Sequence, residues 1–237
     1  VLVGPRRAGK SKLLELIIEE LMNKGVSKED IIYLNFEKIE FDEIDNYLKL
    51  NDYVTQLITN NNKKYLFFDE IQHVELFEKA INSFRVSFDC SIFITGSNSK
   101  LLSSDISTLL TGRIIEFTIY PFSFLEANQF IAISNTNDKA DFLEYLELGG
   151  FPMRFNLTNQ DDSKRYLKEL LNNICEKDVF YRDREIEKEK FNKVCKYVLS
   201  NAGREFNPKT IYNYLNANNE PERSVLSSIY KYFDKME

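Results

Sequence analysis

Residues 4–11 read GPRRAGKS, two glycines framing four residues and followed by a lysine and a hydroxyl. Glycines at positions 4 and 9 let the backbone turn tightly, so that its N–H groups point inward. A helix starting at Lys10 directs the positive end of its dipole at the same spot, and Lys10 adds a full charge. Such a loop is suited to the phosphates of a Mg²⁺-bound nucleoside triphosphate, with Lys10 at the β/γ-phosphates and Ser11 on the metal. Gly4, Pro5, Arg6, Arg7, Ala8, Gly9, Lys10, Ser11 and Lys12 form the candidate nucleotide-binding set. The bland alternative is a glycine-rich turn in an ordinary strand–helix unit.

A second signal is YLFFDEIQ, an apolar run ending in Asp69 and Glu70. A buried strand that terminates in adjacent carboxylates is costly unless they meet a cation, and a magnesium-chelated triphosphate supplies one. Asp69 is then the candidate metal residue beside Ser11. Glu70, one position on, is the candidate base that orients and deprotonates an attacking water. Acidic residues opening a helix are the plainer alternative. A third run, SIFITGSNS, ends in small polar groups, of which Thr95, Ser97 or Asn98 reaches the γ-phosphate or the water, unless they only form a turn. Asn35, closing IIYLNF, is a candidate partner for Glu70.

The elements that must position these residues are legible as alternation. Strand-like runs at 1–3, 31–36, 65–68, 91–95 and 114–119 are separated by amphipathic stretches, which predicts an α/β fold with a parallel sheet flanked by helices. Leu13, Leu14, Ile17, Ile18 and Leu21 recur at helical spacing, so the first helix is expected over 10–24 with Gly25 as its stop. After Pro121 helices take over, at 121–131, 141–148 and 161–177, the last opened by the Asp161-Asp162-Ser163 cap. From Glu187 three short helices are expected, one of them introduced by an Asn207-Pro208 cap, in the manner of a helix-turn-helix unit.

Composition narrows the class. The 237 residues carry a net charge of −6, with acidic residues in excess before Tyr181 and basic ones slightly in excess after it. That distribution opposes wholesale coating of nucleic acid by the front segment. No apolar run suits a membrane span, and three scattered cysteines with the single His73 encode neither a disulfide framework nor a zinc site. The cysteines are expected to pack as small apolar residues, His73 to lie on the surface, and the protein to be cytoplasmic. Without a starting Met, and with Val1 already inside a strand-like run, the sequence reads as part of a longer chain.

GPRRAGKS, YLFFDEIQ, ITGSNSKLLS, LLTGRIIEFTIYPFSFLE and YLELGGFP, in that order, resemble the prokaryotic AAA+-type P-loop ATPases that carry a C-terminal DUF4143 domain. The resemblance extends along essentially the whole chain. It implies a P-loop core over 1–135 with an extra strand between the two Walker strands, a helical lid over 136–182, and a winged helix over 183–237, left incomplete where the sequence ends. DVFYRD and FNPKTIYNYLN match the lid-to-winged-helix region of that family, and its DUF4143 domain lies beyond Glu237. It implies further that Arg113, in LLTGR, is an arginine finger acting on the γ-phosphate of a neighbouring subunit, hence a homo-oligomer. Pro152, in GGFP, falls in the segment that packs near adenine, and Arg154 is a candidate lid arginine. No NKxD-like segment appears, which favours ATP over GTP. The expected activity is Mg²⁺-dependent ATP hydrolysis that moves the winged helix over 183–237 and its DNA or protein partner, with Lys209, Arg223 and Lys231 near the phosphates if DNA binds. The alternative is an ATP-regulated DNA- or protein-binding regulator with little turnover.

Overall fold

The computed structural model describes residues 1–96, 114–133, 142–180, 187–205 and 207–215. Among these residues five strands, all paired in parallel, lie in the front of the chain: β1 (Leu2–Val3), β2 (Ile31–Asn35), β3 (Lys64–Asp69), β4 (Cys90–Ile94) and β5 (Phe117–Thr118). β2, β3 and β4 form one sheet and β1 pairs with β5, while a parallel bridge from Leu2 to Thr95 joins the two. The strand order is therefore 5-1-4-3-2. β4 lies between the strand that feeds the glycine loop and the strand that ends in Asp69, as the resemblance implied. The α/β parallel-sheet class expected from alternation is the class observed.

Period-two alternation on these strands sorts the core into two layers. Ile32, Leu34, Leu66 and Phe68 face a cluster shared with Leu50, Val54, Ala80 and Phe84 from helices α2 (Tyr47–Leu57) and α3 (Phe77–Ser87). Tyr33, Tyr65 and Phe67 face the other way, onto Leu14, Ile17 and Leu21 of helix α1 (Lys10–Asn23). Each fully buried Leu or Phe in these layers contributes about 1.5–3 kcal/mol of transfer free energy. The consequence for chemistry lies in the phase: Asp69 continues the Tyr65–Phe67 face, so its carboxylate arrives on the side where α1 begins.

Beyond the sheet come α4 (Phe124–Ile133), α5 (Phe142–Leu148), a 3-10 turn over Pro152–Asn156, α6 (Gln160–Ile174), a π-helical turn over Cys175–Phe180, α7 (Lys188–Ser200) and α8 (Pro208–Leu215). α4 starts three residues later than Pro121 suggested. Ser123 and Glu126 form a reciprocal capping box there, the Ser123 amide donating to Glu126 Oε2 at 2.8 Å and the Glu126 amide to Ser123 Oγ at 3.3 Å. α6 is likewise capped by Asn159, whose Oδ1 accepts from the Asp162 amide at 2.8 Å, and not by the acidic pair that follows. The Asn207-Pro208 start of α8 is as expected, with Asn207 Oδ1 accepting from the Thr210 amide at 2.9 Å.

The chain divides into two compact units, Val1–Ser163 and Lys164–Glu237, a boundary that falls inside the segment expected to form the lid. The second unit has its own small core of Val179, Phe180, Phe191, Val194 and Ile211. Cys195 packs against it, and burial pushes its thiol up to about 12. Among the described residues no helix is long and apolar enough to cross a membrane.

At the end of the sheet opposite Asp69, the Lys64 ammonium is buried and donates to Asp30 and to Asn60 Oδ1, and Asn62 Nδ2 donates to Asp30 at 3.2 Å. The hydrogen bond from Lys64 holds the Asp30 carboxyl below the usual carboxylate range. Because that shift is downward on folding, its stabilisation is full above about pH 4 and is lost as the pH falls below it. Asp30→Asn is expected to lower the Tm at pH 7 and to flatten the Tm decline between pH 5 and pH 3, measured by thermal melts across that range.

Candidate functional site

Between β1 and α1 the chain folds into the loop its glycines require. Gly4 has φ +145°, and a Cβ there would lie 2.1 Å from the Ile119 carbonyl oxygen, so no other residue fits without moving β5's end. Gly9, with φ +109°, turns the chain into α1, where the Leu13 amide donates to the Gly9 carbonyl at 2.9 Å. Arg7 also takes a left-handed conformation, φ 67°. The Ala8 amide closes a turn on the Pro5 carbonyl at 3.3 Å. Arg6 Nη1 lies 3.9 Å from Glu37 Oε1, and Lys12, exposed on α1, pairs with Glu15 at 2.9 Å.

Lys10 does not extend into solvent. It is 4% exposed, and its Nζ donates to the carbonyls of Gly4 at 2.9 Å and Pro5 at 3.1 Å. The loop thus wraps an ammonium, with the start of a 14-residue helix beneath it. Chemically this is an anion cradle, combining backbone donors, a helix N-terminus and one buried positive charge.

Ser11, the next residue, reaches across to β3, where its hydroxyl donates to Asp69 Oδ1 at 3.1 Å. Asp69 is fully buried, and three further donors converge on it. Tyr33 Oη lies 3.1 Å and Asn35 Nδ2 3.0 Å from Oδ2, and Thr95 Oγ1 donates to Oδ1. All four partners are neutral dipoles. Four such donors aimed at one carboxylate suit it to a hydrated cation arriving with a phosphate ligand. Among the described residues no group of three or more His, Cys, Asp or Glu comes together, so a Mg²⁺ here would draw its remaining ligands from phosphate and water.

Glu70 leaves the strand in a left-handed conformation, φ 55° and ψ 44°, with its amide donating to Thr95 Oγ1 at 3.0 Å. Its carboxylate accepts from the Gln72 amide, and the residue is 7% exposed. Asn35, expected beside Glu70, is instead a partner of Asp69. The parallel register sets Asn35 opposite Asp69, and the left-handed turn at Glu70 takes the second carboxylate off that face. Thr95, one of three polar candidates after β4, bridges the two acidic positions; Ser97, Asn98 and Arg113 lie outside the described residues. Pro152 opens the 3-10 turn after α5 and takes no part in the Asp69 contacts. Arg154 is buried, with Nε donating to the Gly149 carbonyl at 2.8 Å, Nη1 donating to Glu144 at 3.1 Å and its guanidinium over the Phe155 ring. It braces the turn after α5, a use the sequence alone did not suggest.

Tyr33 and Gln72 were not singled out by sequence reasoning. Tyr33 reads as an ordinary aromatic of a core strand, and only its two-residue spacing from Asn35 places both on one face. Burial and the neighbouring Asp69 carboxylate push its hydroxyl up to about 12, so it stays a donor throughout the physiological range.

Residues 1–128 match the family described as AAA domain, and residues 139–232 match a domain of unknown function (DUF8612), a family distinct from DUF4143. An uncharacterized protein of Haemophilus influenzae is 34% identical over 241 residues, an alignment covering 100% of this chain and 59% of that protein. An uncharacterized protein of Methanocaldococcus jannaschii is 36% identical over 245 residues, covering 91% of this chain and 53% of that one. The chain thus spans between half and two thirds of these curated relatives. Among solved structures, that of C. elegans PCH-2 aligns with 99% of this chain and 60% of its own at 14% identity, with a TM-score of 0.40.

Proposed function

The chain belongs to the AAA domain family, and on that premise we propose that it is a Mg²⁺-dependent, ATP-hydrolysing switch. The observation that supports this most is the pairing of Ser11 with the buried Asp69 across 58 positions of sequence, next to a loop closed around Lys10. In this reading Gly4 to Lys12 hold the phosphates, Lys10 takes the β/γ-phosphate charge, and Ser11 with Asp69 holds the metal. Mg²⁺, when bound, neutralises charge developing on the phosphate oxygens. Glu70 takes the proton of the attacking water, with the Gln72 side-chain amide on its Oε2 helping to orient the carboxylate. Asn35 acts through Asp69, Ser97 reaches the γ-phosphate side, Pro152 packs near the base, and Arg113 serves a second copy of the chain in trans.

The division into a core over 1–135, a lid over 136–182 and a winged helix over 183–237 belongs to the same proposal, as does kinship with the DUF4143-bearing ATPases. Both rest on the motifs quoted above. Changes at the nucleotide would move residues 183–237 and so their DNA or protein partner.

Isothermal titration calorimetry of the chain with ATP and excess Mg²⁺, paired with phosphate release, tests the reading. One nucleotide per chain and slow steady turnover are expected. Uptake without turnover would make the protein an ATP-regulated binder, and no uptake of any purine nucleotide would overturn the proposal.

A further inference from the structure

Asp69 sits at the end of β3 with both carboxylate oxygens engaged, Oδ1 by Ser11 and Thr95 and Oδ2 by Tyr33 and Asn35. A carboxylate offers about four acceptor directions, and four donors shared between its two oxygens fix the plane of the group. The two ends of that plane differ in purpose. Oδ1 faces the Ser11 hydroxyl at the start of α1, whereas Oδ2 is held entirely from β2.

Of the two β2 donors, Tyr33 is the more firmly anchored. Its ring packs with Leu2, Leu14 and Phe67 in the layer beneath α1, and its hydroxyl stands at the edge of that layer, 3.1 Å from Asp69 and 3.5 Å from Asn35 Nδ2. Asn35 is itself shared, since its Oδ1 accepts from the Glu37 amide at 2.9 Å. A phenylalanine would fill the apolar layer equally well. The hydroxyl serves only the polar edge, at the Asp69 carboxylate and the Asn35 amide.

We infer that Tyr33 is a positioning residue for the Asp69–Ser11 pair: its hydroxyl clamps Oδ2 so that Oδ1 stays turned to Ser11, and the site's preference for Mg²⁺-bound over metal-free nucleotide depends on that clamp. The inference rests on the proposed nucleotide site and adds to it a residue that touches neither phosphate nor metal. Without the hydroxyl, Asp69 keeps three donors but gains freedom to rotate about its side-chain bond, and the orientation that serves Ser11 is populated less.

The test is Tyr33→Phe, read by calorimetry with ATP in excess Mg²⁺ and with ATP in EDTA. The wild-type ratio of the two Kd values is expected to shrink about three- to tenfold in the variant, less than the full loss of a hydrogen bond to a charged group because Tyr33 acts only through Asp69, with the EDTA value unchanged. A merely structural tyrosine would lower the Tm and leave the ratio alone. An unchanged ratio, or tighter Mg²⁺-ATP binding, overturns the inference while leaving the nucleotide site intact. Failure of the wild-type chain to bind nucleotide overturns both. Should Tyr33→Phe not fold, Asn35→Ala, which removes the other donor to Oδ2, reads the same clamp: the ratio is expected to shrink there too, and an unchanged ratio overturns the inference.

Discussion

Glu70→Gln is expected to abolish most ATP turnover, by about 10²- to 10⁴-fold, while Mg²⁺-ATP binding stays within a few-fold of wild type. The substitution keeps the size of the side chain and one carbonyl oxygen, so the contact from Gln72 Nε2 can persist. The backbone anchors persist too. Thr95 Oγ1 still accepts from the amide of position 70, and the Ile71 amide still donates to the Thr95 carbonyl at 3.1 Å, the two bonds that hold the left-handed turn. What disappears is the basic oxygen. A neutral amide accepts a hydrogen bond from water but does not take its proton, so the loss falls on the chemical step, not on assembly of the site. Phosphate release and calorimetry on the same preparation separate the two. Parallel loss of binding would mean that Glu70 supports the site's shape, and undiminished turnover would remove it as the base.

That separation depends on features of unequal visibility in the sequence. Local patterns carried far. Alternation placed five strands, the helical spacing of Leu14, Ile17 and Leu21 placed α1, and the Gly4-to-Ser11 spacing marked a loop whose residues do gather around one ammonium. Asp69 next to Glu70 was equally plain as a pair. Their partners were not, because partners are fixed by strand order. Only with β4 inserted between β1 and β3 does Thr95 come between the acids, and only the β2–β3 register sets Asn35 against Asp69 instead of Glu70. Tyr33 was hidden for a related reason. In a strand that alternates Ile32 and Leu34 with aromatic and polar residues, an amphipathic tyrosine looks like core until the neighbouring strand's acid is known to end two residues above it. The start of α4 is written in the sequence as the capping-box spacing of Ser123 and Glu126, whereas Pro121 lies before the helix.

Lys10→Ala should strike the step that Glu70→Gln spares. Nζ is the one full positive charge buried within the loop, and it already spends two hydrogen bonds on the Gly4 and Pro5 carbonyls. An arriving triphosphate offers the same ammonium anionic oxygens, and charge-assisted bonds of that kind contribute about 1.5–3 kcal/mol each. Loss of one of them weakens Mg²⁺-ATP binding by about tenfold to 150-fold, and turnover falls below detection because the charge that neutralises the transferring phosphoryl group is gone. Alanine also removes the ammonium's hydrogen bonds to the two loop carbonyls, so a fall in Tm of the nucleotide-free chain is expected alongside. Lys10→Arg distinguishes charge from shape. A planar guanidinium is broader than an ammonium and cannot sit between two carbonyls of a tight loop whose first glycine already abuts Ile119, so it too should fail in turnover although the charge is kept. Wild-type-like affinity in Lys10→Ala would mean that the backbone amides and the α1 N-terminus bind the phosphates unaided, and the lysine would then be a brace for the loop.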